Sequence, residues 1–244
     1  MLVAGIHALS AAPAISASER TPACGHPADI LNLADWKLTL PTGSTGHPTE
    51  IKQPMLATHS AVPWFTPDAE CDGVQFRAPV NGVTTSGSRY PRSELREMSG
   101  GSGEASWSTD SGTSTMVINE AITHLPEGKA QVVAGQIHGQ ADDVTVFRLE
   151  GSKLYVTKGN DAHYRLAAAD YRPGTRFTAR FVAESGQIKA YYNEKLVASF
   201  GVKSDGNYFK AGAYTQANCT NSTPCQADNY GEVVIYGLNV SHRN

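Results

Sequence analysis

The chain has 244 residues, 40% hydrophobic and 18% charged, which excludes a disordered or fibrous protein. Its formal net charge of −3 gives no overall attraction for nucleic acid or an anionic membrane. A polyanionic partner would therefore have to be held by a local basic patch.

Residues 1–18 are small and apolar, and Ala12-Pro13-Ala14 resembles a signal-peptidase site, although a basic n-region is missing. We expect residues 1–20 to be a leader outside the fold, with a disordered Ala/Ser-rich tail as the alternative. The leader reading implies a secreted protein. Residues 24–244 show no linker, repeat or charge block and are expected to form a single domain. No later segment approaches the ~18 consecutive apolar residues of a membrane span, so no membrane partner is expected. Trp36-Lys-Leu-Thr-Leu40 reads as a strand ended by Pro41. The Pro-, Thr- and His-rich stretch from Gly43 to Glu70 reads as a long surface excursion pinned by Cys71. A helix is allowed only in the N-terminal part. Short strands are then predicted at 74–80, 91–98, 113–122, 131–138, 144–150, 153–157, 163–168, 176–184, 187–192, 195–200, 208–216 and 231–241. Turn signals such as Asn81-Gly82 and Asp205-Gly206 separate them, and hairpins are expected at Ser185-Gly186 and Asn193-Glu194. This pattern predicts an all-β sandwich or jelly roll.

The four cysteines (Cys24, Cys71, Cys219 and Cys225) form no CxxC pair and have no histidine at zinc-site spacing. Cys219 with Cys225 would close a short loop, which leaves Cys24 with Cys71. Four buried free thiols are the alternative.

Side chains alternate faces along a strand. In the strand over 91–98, Arg92, Glu94 and Arg96 share one face, and a carboxylate between two guanidiniums can hold them rigid for a second carboxylate. A plain charged surface strand fits this segment equally well. Gln136 and His138 share a face, with Ile137 on the other. They pair an amide donor with a titratable imidazole, though an ordinary surface pair fits that segment better when it stands alone. Tyr208, Lys210, Gly212, Tyr214 and Gln216 share a third face, opposite Phe209, Ala211 and Ala213. Gly212 is expected to leave space beside Tyr214 for a sugar ring. Together these faces describe a groove suited to a chain of uronic acids. Arg and Gln would offset carboxylate charge while a base removes the C5 proton and an acid protonates the leaving oxygen.

RSELRE (92–97), QIH (136–138) and YFKAGAYTQ (208–216) resemble, in order and wide spacing, the three signature motifs of the alginate lyases of polysaccharide lyase family 7. WKLTLPTG (36–43) and DDVTVFRLEG (142–151) extend the resemblance. It implies a β-jelly roll, a concanavalin-like sandwich of two antiparallel sheets whose concave face binds alginate. By motif position it implies catalytic roles for Arg92, Gln136, His138 and Tyr214, and substrate-binding roles for Glu94, Arg96, Tyr208, Lys210 and Gln216. Arg92, Gln136 and His138 would surround the substrate carboxylate, with His138 as base for guluronate. Tyr214 would be the proton donor, and for mannuronate both base and acid. Isoleucine in QIH is associated in the family with guluronate-containing substrates. No metal or other cofactor is expected, and a monomer is anticipated. The competing readings are a carbohydrate-binding module on the same scaffold and a hydrolase with paired carboxylates. The hydrolase would require a second acid facing Glu94.

Overall fold

A computed structural model describes residues 24–100 and 102–243. The leader expected over 1–20 lies outside the described residues. The N-terminal helix is a single turn, α1 (Pro27–Ile30). Strands β1 (Trp36–Ser44), β2 (His47–Ile51), β3 (Phe65–Pro67) and β4 (Val74–Pro79) follow. After them come β5 (Arg92–Ser99), β6 (Gly103–Glu104), β7 (Thr113–His124), β8 (Gln131–His138), β9 (Asp143–Glu150) and β10 (Lys153–Lys158). The last are β11 (Asp161–Ala168), β12 (Phe177–Glu184), β13 (Gln187–Tyr192), β14 (Lys195–Gly201), β15 (Tyr208–Thr215) and β16 (Tyr230–Arg243).

One sheet runs β11-β10-β9-β8-β15-β5-β1-β2, with β6 paired to β5, and the other runs β14-β13-β12-β7-β16-β4-β3. All the strand pairs are antiparallel, and the two sheets form a jelly-roll sandwich, as the sequence predicts. The hairpin turns hold Ser185 (φ 49°) with Gly186 (φ 69°), and Asn193 (φ 47°) with Glu194 (φ 63°). This left-handed backbone matches the twist of tight hairpins. Between the sheets, Leu38, Leu95, Ile137, Phe147, Phe209 and Ala211 pack towards Phe76, Ile118, Phe181 and Ile235, and Phe147 lies 5.1 Å from Phe181, ring centre to ring centre. Burying each such side chain contributes about 1.5–3 kcal/mol, which fixes which face of every strand is left for chemistry.

Glu120 on β7 breaks the apolar pattern. It is 0% exposed, and neither carboxyl oxygen has a hydrogen-bond partner among the described residues. Burial pushes its pKa up to about 8.

Three expectations need correction. The first strand does not end at Pro41 but runs on to Ser44. Its register with β2 shifts between Thr39 and Gly43, so the proline sits in an irregularity where no ladder N–H is needed. The 43–70 stretch is not merely a surface excursion. It supplies β2 to one sheet and β3 to the other, and Leu56 and Phe65 from it are fully buried. Gly212 is explained by the neighbouring backbone rather than by a sugar: its φ is +133°, and a Cβ there would stand 2.6 Å from the Ser93 carbonyl oxygen.

The cysteines pair as Cys24–Cys71 and Cys219–Cys225, which removes the free-thiol alternative. The first bond ties the chain before α1 to the loop before β4.

Candidate active site

Strand register brings the three motif segments together. Lys210 of β15 lies opposite Gln136 on β8 and Arg96 on β5, and Lys37 of β1 lies opposite Arg96. Tyr208 pairs with His138, Gly212 with Glu94, and Tyr214 with Arg92. The reverse faces of these strands carry Leu95, Ile137, Phe209, Ala211 and Ala213, all 0% exposed. Hydrophobic burial behind the sheet thus forces the polar set onto its outer, concave face. There a groove of about 370 Å³ is lined by Arg92, Arg96, Gln136, His138, Tyr208, Lys210 and Tyr214.

Glu94 lies beneath this groove and is 1% exposed. Its Oε2 accepts from Arg92 Nη1 at 3.1 Å and from Lys210 Nζ at 2.5 Å, while Oε1 accepts from the Gln136 amide. Burial alone would raise the Glu94 pKa, but the Lys210 and Arg92 charges and these hydrogen bonds outweigh it, so the net shift is downward. Burial pulls the Lys210 ammonium down to about 8 against the attraction of Glu94. Both therefore remain charged at neutral pH. One buried carboxylate fixes two cations and an amide, and the second Gln136 amide N–H has no acceptor among the described residues.

His138 Nδ1 lies 2.7 Å from the Gly139 carbonyl oxygen. A carbonyl only accepts, so Nδ1 carries the proton and Nε2 keeps its lone pair. Burial, aided by the Lys210 and Arg92 charges, lowers the His138 pKa, so the ring is neutral at neutral pH. It stacks on Tyr208 at 5.0 Å between ring centres, and Arg96 covers Tyr208 at 3.9 Å. Tyr214 is held by the Arg92 guanidinium 3.9 Å over its ring and by Ser88 Oγ, 2.9 Å from its hydroxyl.

Gln216 lies apart from this cluster. It lines a side recess with Tyr214, Gln136, Arg148 and Asn160, and its Nε2 has no hydrogen-bond partner among the described residues. Several groove residues escaped the motif reading. Lys37 and Thr39 reach it from β1, and applying alternation to Trp36-Lys-Leu-Thr would have found them. Ser88 sits in an irregular loop, where no periodic signal exists. Asp143 also lines the groove, and burial, with Asp142 beside it, raises its pKa to about 6. A larger hollow of about 520 Å³ lies between Trp36, Trp107 and His242. The Glu97 carboxylate there is already taken by Trp107 Nε1, the Phe209 N–H and His242 Nε2. Among the described residues no three His, Cys, Asp or Glu side chains gather as a metal site.

Comparison with known proteins agrees with the motif resemblance. A family model described as alginate lyase matches residues 31–242. A solved alginate lyase from Corynebacterium sp. is 60% identical, with 90% of this chain and 99% of that one covered at a TM-score of 0.88. AlgAT5, an alginate lyase from polysaccharide lyase family 7, is 47% identical, covering 90% of this chain and 99% of that one, with a TM-score of 0.85. A double variant of the family 7 alginate lyase A1-II′, in complex with the substrate GGMG, is 25% identical over 91% of this chain and 98% of that one, with a TM-score of 0.76. A curated alginate lyase from Klebsiella pneumoniae is 37% identical over 75 residues, a match spanning 30% of this chain and 24% of that protein. The chain belongs to the alginate lyases of polysaccharide lyase family 7.

Proposed function

We propose that the protein is a secreted, endo-acting lyase that cuts the 1,4-bonds of alginate by β-elimination and prefers guluronate. The observation that carries the mechanism is a neutral His138 with a free Nε2, set in a groove whose Arg92 and Gln136 are both anchored on Glu94. Arg92 and the spare Gln136 N–H bind the uronate carboxylate and stabilise the charge that spreads onto it as C5 is deprotonated. His138 Nε2 takes the C5 proton. The C5 electron pair forms the C4–C5 double bond and expels the glycosidic oxygen, which takes the Tyr214 hydroxyl proton. Ser88 can then donate to the phenolate left behind. The acid–base steps are worth roughly 10²–10⁴-fold, and electrostatic stabilisation of the enolate-like state supplies much of the remainder. Arg96, Tyr208 and Lys210 shape the groove, with Gln216 extending it at the recess. Glu94 acts from below, without touching the sugar.

Endo action is supported by the reach of the groove. Its walls come from β2, β1, β5, β15, β8 and β9, a span of roughly 24 Å at ~4.8 Å between strands, long enough for several sugar rings. The guluronate preference rests on Ile137, which is fully buried and would act by setting the positions of Gln136 and His138. The disulfides favour an oxidising, extracellular setting, and no described helix is long and apolar enough to cross a membrane. We further propose that residues 24–244 work as one monomeric catalytic unit without a cofactor. Incubation with separated guluronate and mannuronate blocks, followed by the ultraviolet absorbance of new C4–C5 double bonds, tests this reading. Faster initial rates on guluronate are expected, and no absorbance rise on any block would refute the lyase assignment.

A further inference from the structure

At the β1 side of the groove two cations are already occupied by the protein itself. Lys37, Arg96, Lys210 and Gln136 stand in one cross-strand row, which puts Lys37 three strand spacings, roughly 14 Å, from Gln136. Glu104, on the short strand β6, bridges the far end of that row. Its Oε1 is 3.3 Å from Lys37 Nζ and its Oε2 is 3.2 Å from Arg96 Nη2. The two cations are built in: their side chains are 10% and 14% exposed, Lys37 is also held by Glu50 at 2.9 Å, and Arg96 donates to the Glu97 carbonyl at 3.1 Å while stacking on Tyr208. The Glu104 side chain, by contrast, is 62% exposed.

We propose that Glu104 is an internal competitor for a substrate carboxylate. It occupies a uronate subsite formed by Lys37 and Arg96, and an alginate chain long enough to span the row displaces it. This rests on the lyase reading above. The exchange replaces one carboxylate by another on the same two cations, so the end of the groove keeps its charge balance. Its outcome is set by the weak hold of an exposed ion pair. The buried Glu94 cannot exchange in this way, because leaving its three partners would strand buried charges. Glu104 thereby makes binding selective for chains that reach beyond the bond being cut.

The test is steady-state kinetics of Glu104→Gln, Arg96→Gln and the double variant on polyguluronate and on purified short and long alginate oligosaccharides. Lys37 keeps Glu50 in the Glu104→Gln protein, so the fold is expected to survive, with thermal melting as the check. Glu104→Gln should lower KM on long chains about 2- to 10-fold, the worth of one or two exposed ion pairs. The change should fall on KM rather than kcat. It should be absent on chains too short to reach the row, and smaller in the Arg96→Gln background, where only Lys37 still holds Glu104. A KM on long chains that is unchanged or raised overturns the proposal. So does an equal fall on short chains or in the Arg96→Gln background, since either would report only the change in net charge. If the unsubstituted protein forms no unsaturated ends from any alginate, the lyase reading itself fails. If it is active and KM does not respond, only the role of Glu104 fails.

Discussion

Glu120→Gln isolates the cost of a carboxyl sealed inside an apolar core. Glu120 has no partner among the described residues, and burial raises its pKa from an ordinary 4.5 to about 8. Between these values the folded protein keeps a proton that the unfolded chain has released. Stability therefore falls as pH rises, by about 1.4 kcal/mol per pH unit, until the folded group ionises near 8. At pH 7 the accumulated penalty is about 3 kcal/mol, and above pH 8 it levels off at about 5 kcal/mol. Glutamine has nearly the same shape and stays neutral, so its own burial cost does not change with pH. Relative to the parent, the variant should thus gain roughly 6–12 °C in Tm between pH 4 and pH 7, given ~2–4 °C per kcal/mol for a domain of this size. Calorimetric or circular-dichroism melts of both proteins across that range provide the assay. A difference between the two that stays flat from pH 4.5 to 8 refutes the reasoning, because it would mean that Glu120 is paired or hydrated in the folded state.

Three further outcomes are expected. Tyr214→Phe removes the proposed acid but keeps the ring beneath Arg92, so kcat should fall at least about 10²-fold with little loss of oligosaccharide binding; near-normal turnover would move the acid elsewhere. Asp143→Asn should leave KM unaltered at pH 5 and lower it above pH 6, where the parent carboxyl ionises on the wall facing a polyanion; a KM ratio independent of pH would contradict this. Reduction should lower Tm, with loop-closure entropy assigning about 4 kcal/mol to the Cys24–Cys71 bond (separation 47) and about 2 kcal/mol to Cys219–Cys225 (separation 6); melts that coincide with and without reductant would remove the disulfides from the stability account.

Period-two alternation made most of the sandwich legible, because a strand with one buried face must place its apolar side chains at every second position. The same rule put Arg92, Glu94 and Arg96 on one face of β5, and Gln136 and His138 on one face of β8. It missed β2 and β3, whose His-Pro-Thr-Glu-Ile and Phe-Thr-Pro segments carry too little alternation. They become strands because β1 and β4 offer them partners in local hairpins, with Ser44 opposite His47 and Pro67 opposite Val74. Ser88 was invisible for a different reason: its approach to Tyr214 joins residues 126 apart through a loop.

Alternation also gives the face of a side chain without its depth, and depth separates the acidic residues of this site. Glu94, Glu104 and Asp143 all belong to the polar side of the same sheet. Glu94 is sealed beneath three donors and can only position them. Asp143 lines the wall half-buried, where its charge is set by pH. Glu104 lies at the open end, where its hold on Lys37 and Arg96 competes with water, salt and substrate. Carboxylates in a groove for a polyanion look self-defeating from composition alone. Their burial resolves the contradiction under the proposed mechanism, because a carboxylate under the floor organises the cations meant for substrate, whereas one at the rim opposes binding until it is displaced.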